Sequence, residues 1–199
     1  GGWSMGLSRE PGDGIGSTIV TSVYMVDEQG VDALGVELIA GTNFGPDDVI
    51  WNQAGADWPD KVILSKSLAA TLFPDDPTFG VGETVYIEED QPMSVAGVVE
   101  QLQSPWVGWD EVIERSILVP RQLAGPDSAY LVRAEPGRRD ALMPEIERVL
   151  ASSPAERVLG GMSTMEQTRE RSYSLNGALV NILGFTVIVL VAVTTLGVA

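Results

Sequence analysis

An α+β domain followed by one long apolar helix is the fold that the sequence predicts, and three segments carry this prediction. Residues 175–199 contain no charged side chain; as a helix they would span about 37 Å, enough to cross a hydrocarbon core of about 30 Å. Residues 61–74 read as a strand followed by a helix, and residues 80–99 alternate as a β-hairpin. We therefore expect a folded head in front of a membrane helix.

The first half of the chain is predicted element by element from its local pattern. Residues 1–16 are rich in glycine and read as a flexible lead-in, after which residues 17–25 form a strand. A short helix and then a strand are expected over residues 31–39, and a loop over residues 47–60. Ser65 is placed as the N-cap of the helix that ends before Pro74.

The second half is predicted to contain short strands at residues 116–119, 129–133 and 157–159 and a helix over residues 138–151. Ser163 and Glu166 have the spacing of a capping box, in which each side chain bonds a free backbone N–H of the other. Because no proline follows, we expect one continuous helix from this cap to residue 199. It would be about 54 Å long, so its first turns would stand outside the bilayer as a stalk.

Composition excludes several classes of function. The formal net charge is -16, and all charged residues precede residue 175; such a head repels phosphate, which makes nucleic-acid binding improbable. The chain has no histidine and no cysteine, so it cannot hold a Ser-His-Asp or Cys-His arrangement. The sequence also lacks the Gly-Lys-Ser or Gly-Lys-Thr of a P-loop. We expect no catalytic residue, no metal and no cofactor in this segment.

The acidic pairs leave two rival interpretations open. Asp47-Asp48, Asp75-Asp76 and Glu88-Glu89-Asp90 could be metal ligands or paired catalytic carboxylates, for instance in a membrane-anchored glycosidase. None of these groups has EF-hand spacing, and each falls at a predicted turn. Solvated turn residues are the favoured interpretation.

Four tryptophans are the candidate partner or substrate surface. Trp51 and Trp58 stand in the loop predicted over residues 47–60, and Trp106 and Trp109 stand in the one around residues 104–110. Tryptophan is enriched at interfaces because it offers a large apolar ring and one polar N–H. The alternative is that two or more of them fill the core of a small subdomain.

A stripe of small and slightly polar residues marks the apolar helix. Gly177, Asn181 and Gly184 recur on one face, and small residues let membrane helices approach closely while an amide hydrogen-bonds across the contact. We expect this face to pack against another helix, because Asn181 facing lipid would be costly.

Five segments resemble the permeases of the MacB, FtsX and LolC group of ABC transporters. Residues 36–44 are similar to their segment of Leu, two residues, Gly, Arg, one residue and Phe, with Thr42 in the place where Arg is frequent. Residues 61–74 are similar to a strand-helix signature that ends in Leu-Phe-Pro. Residues 80–87 and 94–99 resemble the hairpin that follows. Ser163-Thr-Met-Glu-Gln, with the apolar run after it, resembles the entry into the second membrane helix. The segments occur in the same order over residues 17–199.

The resemblance implies a periplasmic or extracellular domain built from two subdomains. Residues 17–44 and 126–162 would form a porter-like part of βαβ units, with residues 45–125 inserted as a small α+β subdomain. Residues 1–16 would follow a first membrane helix, residues 163–174 would form the stalk, and residues 175–199 the next membrane helix. The chain begins without a methionine or signal peptide and ends without a charged flank, as expected of a segment of a longer protein.

The resemblance also implies a function without bond chemistry. ATP would be hydrolysed by an ATP-binding cassette domain or subunit, in the bacterial cytoplasmic (inner) membrane, and a homodimer or paired permease would carry the motion outward to drive export or extraction. A periplasmic adaptor is a further possible partner. The alternative function is that of an FtsX-like regulator, which activates a partner such as a cell-wall hydrolase instead of transporting a substrate.

Overall fold

The computed structural model describes residues 3–12, 18–52, 57–88, 90–106, 108–123, 129–152 and 160–198, without the side chains of residues 52, 172–181, 192 and 197–198. The chain divides into two compact units, Gly1–Arg133 and Ala134–Ala199. In order, the described elements are β1 (Trp3–Ser8), β2 (Ile19–Val26), α1 (Gly30–Leu34), β3 (Leu38–Gly41), a 3-10 turn (Pro46–Asp48), β4 (Ile50–Asn52), β5 (Lys61–Ser65), α2 (Lys66–Leu72), β6 (Thr84–Ile87), β7 (Gln91–Val99), β8 (Ser116–Leu123), α3 (Arg139–Ala151) and α4 (Met165–Val198).

Six strands of the first unit form a sheet that closes on itself. Around the ring, β1 pairs with β2, β2 with β8, β8 with β5, β5 with β7, β7 with β6, and β6 again with β1. The closing pair, β2 with β8, is parallel and runs from Ser22 opposite Ser116 to Val26 opposite Pro120. β3 extends the sheet from β7, and β4 extends it from β8. Pro120 lies in β8 between the residues that pair with β5 and those that pair with β4.

The two faces of the closed sheet bury different clusters, as the alternation of side chains along a strand requires. On β5, Val62 and Leu64 point to one cluster and Ile63 to the other; on β8, Ile117 and Leu118 divide in the same way. All six strands of the ring contribute to the first cluster, so it fills the interior. Leu68, Ala69 and Leu72 of α2, and Phe73 directly after it, join this cluster. The second cluster lies on the outside, where Val31 of α1 and Phe44 cover it.

A bulge in β7 lets this strand pair with three others. Val62 lies opposite Val95, but Ile63 lies opposite Gly97, so Ala96 is an extra residue. Gly41 lies against the bulge with φ of 73°, and there is no room for a side chain at this position. A Cβ there would clash with the Ala96 carbonyl oxygen and lie 2.7 Å from the Gly97 Cα. Glycine is required here for its conformation and for the close approach.

Several predicted elements are confirmed in type and position. The strand at residues 17–25, the helix and strand over residues 31–39, and the hairpin of β6 and β7 are present. The strand-helix segment is β5 and α2, but Ser65 makes no side-chain cap. Its hydroxyl instead donates to the Glu114 carbonyl oxygen at 2.7 Å and accepts the Ser116 N–H at 3.1 Å.

Three predictions about the first unit need correction. Trp3–Ser8, placed in the flexible lead-in, is strand β1 and pairs on both sides. Residues 47–60, predicted as a loop, include β4. Residues 129–133, predicted as a strand, form none. The predicted strand at residues 157–159 lies outside the described residues.

The predicted boundary between a porter-like part and an insertion does not coincide with a break in the sheet. β2, from residues 17–44, pairs with β8, from residues 45–125, and β3 pairs with β7 across the same boundary. The hydrogen bonds of the closed sheet therefore join what the resemblance implied to be separate subdomains. The first compact unit ends at Arg133, and the division into a porter-like part and an insertion stays a prediction.

The second unit contains α3 and α4. The predicted capping box is shifted by one residue: Thr164 Oγ1 accepts the Gln167 N–H at 3.1 Å, and Gln167 Oε1 accepts the Thr164 N–H at 3.1 Å. Glu166 instead accepts a bond from Arg139 at 3.3 Å. α4 then runs without interruption from Met165 to Val198, as predicted for one continuous helix.

Among the residues whose side chains are described, no helix is both long enough and apolar enough to span a membrane. The predicted span, residues 175–199, falls partly outside these residues and stays a prediction.

Substituting Gly41→Ala should destabilise the first unit by about 2 kcal/mol or more, because alanine must adopt a left-handed conformation and also displace the bulge. The control is Gly82→Ala, since Gly82 has φ of 89° but open space around a Cβ, so only the conformational part of the cost applies. Urea unfolding followed by near-ultraviolet circular dichroism compares them. Equal losses in the two variants would contradict a close approach at Gly41.

Candidate functional site

Trp58 belongs to the core and not to a surface. Its side chain is 8% exposed and joins the interior cluster of the closed sheet. The indole Nε1 donates to Glu88 Oε2 at 2.8 Å, and the guanidinium carbon of Arg121 lies 4.8 Å from the ring centroid. The ring therefore fills the end of the interior and covers a buried cation.

Arg121 continues the inward-facing row of β8 after Ile117 and Val119, and it is 1% exposed. Burial lowers the pKa of its guanidinium, and the nearby Glu88 carboxylate acts in the opposite direction. A buried cation is tolerated only where it is compensated. The ring of Trp58 and the charge of Glu88 contribute to that compensation, so the three residues are a structural group of the fold.

Trp51 lies on the short strand β4 and is 72% exposed. The 3-10 turn before it is held by Asp48, whose carboxylate accepts the Gly45 N–H at 2.8 Å and Lys61 Nζ at 2.7 Å. The bond from Lys61 is the largest cause that lowers the pKa of Asp48, followed by the bond from Gly45. The turn fixes the entry into β4 and hence the place of Trp51.

Trp106 and Trp109 come together in the connection between β7 and β8. Their ring centroids are 6.1 Å apart, and the ring planes are tilted by 57°. This is the separation and tilt that aromatic pairs prefer. Trp106 is half-buried, and Trp109 is 40% exposed, so the pair presents an apolar surface to solvent.

Buried hydroxyl groups hold this connection against the closed sheet. Ser104 Oγ accepts from Ser22 Oγ at 2.7 Å and from the Trp106 N–H at 3.2 Å. Thr21 and Tyr24 of β2 donate to the carbonyl oxygens of Arg115 and Gln103 at 2.9 Å and 2.6 Å. Sequence reasoning missed this network, although three hydroxyl-bearing residues close together in a predicted strand were a possible signal.

The four candidate tryptophans are therefore not one surface. Trp58 is a core residue, which corrects its assignment to a partner surface. Its indole ring packs in the interior cluster, and its N–H donates to Glu88. Trp106 and Trp109 are adjacent in the β7–β8 connection, and Trp51 is exposed on β4.

The predicted helix-packing face is described only in part. Gly177 and Asn181 belong to the stretch whose side chains lie outside the description. Gly184 has open space around it in the described part of the chain, and the packing face stays a prediction.

The acidic pairs serve turns where they are described. Asp76 accepts from the Thr78 hydroxyl at 2.7 Å and from the backbone N–H groups of Thr78 and Gly80. The bond from the Thr78 hydroxyl is the largest cause that lowers the pKa of Asp76. Within the ranges given above, no group of three or more acidic residues is arranged to hold a metal ion.

A shallow depression of about 410 Å³ lies between α2 and the β7–β8 connection. Its lining comprises Ser65, Lys66, Ser67, Ala70, Glu100, Gln101, Leu102 and Glu114. Lys66 Nζ contacts both oxygens of Glu100, at 2.7 Å and 3.0 Å. The depression is open, and it contains neither of the ring systems of the aromatic pair.

The family of the chain is decided by the match of its sequence to a family model. The model of the MacB-like periplasmic core domain matches residues 4–149, which is more than half of the chain. The chain belongs to this family. The predicted resemblance to MacB-type permeases is thereby confirmed, together with an α+β fold. No curated protein matches the sequence.

Solved structures of similar proteins include two from transporters. The chain is similar to the extracellular domain of the noncanonic ABC-type transporter YknZ from Gram-positive bacteria, at 20% identity and a TM-score of 0.40 over 60% of this chain and 50% of that one. It is also similar to the periplasmic region of MacB from Actinobacillus actinomycetemcomitans, at 16% identity and a TM-score of 0.42 over 89% of this chain and 64% of that one. The MacB-like chain thus spans half to two thirds of these relatives.

Trp58→Ala should lower the free energy of unfolding by about 3–5 kcal/mol, because it leaves a cavity and uncovers a buried cation. The matched variant Trp51→Ala removes the same side chain from an exposed site and should change stability by less than about 0.5 kcal/mol. Urea unfolding with near-ultraviolet circular dichroism measures both. Similar losses in the two variants would contradict the placement of Trp58.

Asp48→Asn should lower stability at pH 7 by up to about 1 kcal/mol, as expected for a partly exposed pair. Because the folded-state pKa is lowered, the stabilisation is present above the unfolded pKa and is lost as pH falls through the folded value. The difference from the wild type should therefore shrink below pH 4 in urea titrations. Asp47→Asn is the control, since Asp47 is exposed beside it; a constant difference at all pH values would refute the assignment.

Proposed function

We propose that this MacB-like domain is the extracytoplasmic part of an ABC transporter permease that passes an ATP-driven conformational change between the membrane and its folded head. The observation that carries the proposal is the order of parts in one chain. The family match ends at residue 149, and the continuous helix Met165–Val198 follows. A helix of that length is about 51 Å long and can transmit displacement as a rigid rod.

The two halves of α4 differ in a way that supports a stalk leading into a bilayer. The first turns contain Glu166, Arg169, Glu170 and Arg171, all exposed. The later part exposes a continuous apolar surface, formed by Ile182, Leu183, Phe185, Val187, Ile188, Val189, Leu190, Val191, Val193 and Leu196. An exposed apolar surface of this extent is unfavourable in water and favourable in lipid.

The hydroxyl groups of the apolar half support the same placement. Thr186 donates to the carbonyl oxygen of Ile182 at 2.8 Å, Thr194 to that of Leu190 at 2.9 Å, and Thr195 to that of Val191 at 2.6 Å. Each polar side chain described in this half is therefore satisfied inside its own helix. A helix in hydrocarbon needs this, because no water is present to accept the bonds. We place this part in the bacterial cytoplasmic membrane.

The head acts mechanically in this proposal and supplies no catalytic group. ATP is bound and hydrolysed by an ATP-binding cassette domain, in the same protein or in a partner subunit, and two permeases pair so that their stalks move together. The chain's lack of histidine and cysteine agrees with a role that needs no nucleophile or general base. The motion drives export or extraction of a substrate.

Breaking the stalk helix should uncouple the movement of the head from ATP binding and hydrolysis. Glu170→Pro removes a backbone bond inside α4 and introduces a steric clash, which costs about 3 kcal/mol or more; Glu170→Ala keeps the helix. In the full-length protein with its ATPase, a spin label on Asp75→Cys reports the distance between paired heads. We expect ADP trapped with vanadate after ATP hydrolysis to change that distance in the Ala variant and not in the Pro variant, while both retain ATP hydrolysis.

The same experiment separates the outcomes. An unchanged head distance in the wild type with vanadate-trapped nucleotide would overturn mechanical transmission. A change in the Pro variant equal to that in the Ala variant would show that α4 is not the transmitting element. Movement of the head, with no substrate found that stimulates ATP hydrolysis, would favour the FtsX-like regulator.

A further inference from the structure

The connection between β7 and β8 carries a tryptophan pair and three exposed acidic residues, and we give the name WE surface to Trp106, Trp109, Asp110, Glu111 and Glu114. The tryptophans form the tilted pair 6.1 Å apart, and the three carboxylates are exposed on the same connection. None of these side chains is needed for the interior of the closed sheet.

The backbone beneath the WE surface is fixed by buried groups. Leu102, Ser104 and Val112 are 6%, 5% and 1% exposed. The Ser104 N–H donates to the Ile113 carbonyl oxygen at 2.7 Å, and the Val112 N–H donates to that of Trp109 at 3.0 Å. A surface held in this way loses little conformational freedom when a partner binds, so more of the contact energy appears as affinity.

The connection is acidic. Besides Glu100, which pairs with Lys66, it carries Asp110, Glu111 and Glu114 against a single basic residue, Arg115, which is half-buried just before β8. Glu114 also lines the depression of about 410 Å³, in which Lys66 is already paired with Glu100 at 2.7 Å. Within the described residues, Glu114 has no ion-pair partner.

We propose that the WE surface docks a basic amphipathic segment of a partner protein. Apolar side chains of that segment would pack on the indole pair, and its lysine or arginine side chains would meet the three carboxylates and the face of Trp109. The net charge of -16 disfavours an acidic partner or an anionic lipid surface through long-range repulsion. This proposal is independent of the mechanical role of α4.

A peptide of alternating lysine and leucine is the probe, and isothermal titration calorimetry with the full-length protein in detergent is the measurement. We expect the peptide to bind, and its counterpart with glutamate in place of lysine not to bind. Trp109→Ala should weaken binding by at least about tenfold, as for a hot-spot aromatic. Glu114→Gln should weaken it by about threefold, and this difference should shrink in high salt.

Matched variants distinguish a docking surface from general attraction to an acidic protein. Trp51→Ala and Asp75→Asn remove an exposed indole and an exposed carboxylate elsewhere on the first unit, and they should leave the affinity unchanged. Trp109→Phe keeps an aromatic ring and should restore most of the binding. Equal weakening by Trp51→Ala and Trp109→Ala, or binding of the glutamate peptide, would overturn the proposal. Binding to phosphatidylcholine vesicles that requires Trp109, without peptide binding, would assign the surface to lipid instead.

Discussion

The parallel pairing of β2 with β8 is the interaction on which the first unit depends. Without it the six strands would form an open sheet with exposed edges at β2 and β8, and the apolar side chains of the interior would lack their opposite wall. The pairing also brings Ser22 beside Ser104 and Thr21 beside Arg115. The closed sheet and the positioned β7–β8 connection are therefore consequences of one register.

Local sequence patterns predicted those elements that are formed by residues close together in the chain. The strand-helix unit of β5 and α2 and the hairpin of β6 and β7 follow from alternation, helical spacing and a proline stop within short windows. β1 was hidden because the glycines in and around it resemble a linker, and because its partner strands lie outside the short window of sequence. The closed topology depends on pairings between distant segments, which one sequence does not reveal.

The candidate site shows the same division between local and distant information. The local sequence places the tryptophans in predicted loops, but the burial of Trp58 depends on distant residues of the interior and on Arg121 of β8. The helix cap is a case of local ambiguity: Ser163 with Glu166 and Thr164 with Gln167 both fit the capping-box pattern. The structure uses the second pair, since Glu166 bonds Arg139 instead. By contrast, the adjacent pair of Trp106 and Trp109 could be expected from spacing alone.

Closure of the sheet also bears on how the chain folds. Thr21 and Arg115, which are hydrogen-bonded beside the closing pair, are 94 positions apart. Forming such contacts requires a long loop to close before any of the burial it permits is gained, which slows folding. A nascent chain that stops short of β8 has every strand of the ring except the one that seals it. The segment emerging first must therefore remain unfinished, with β2 and β5 each still lacking a neighbour, until the residues of β8 are available.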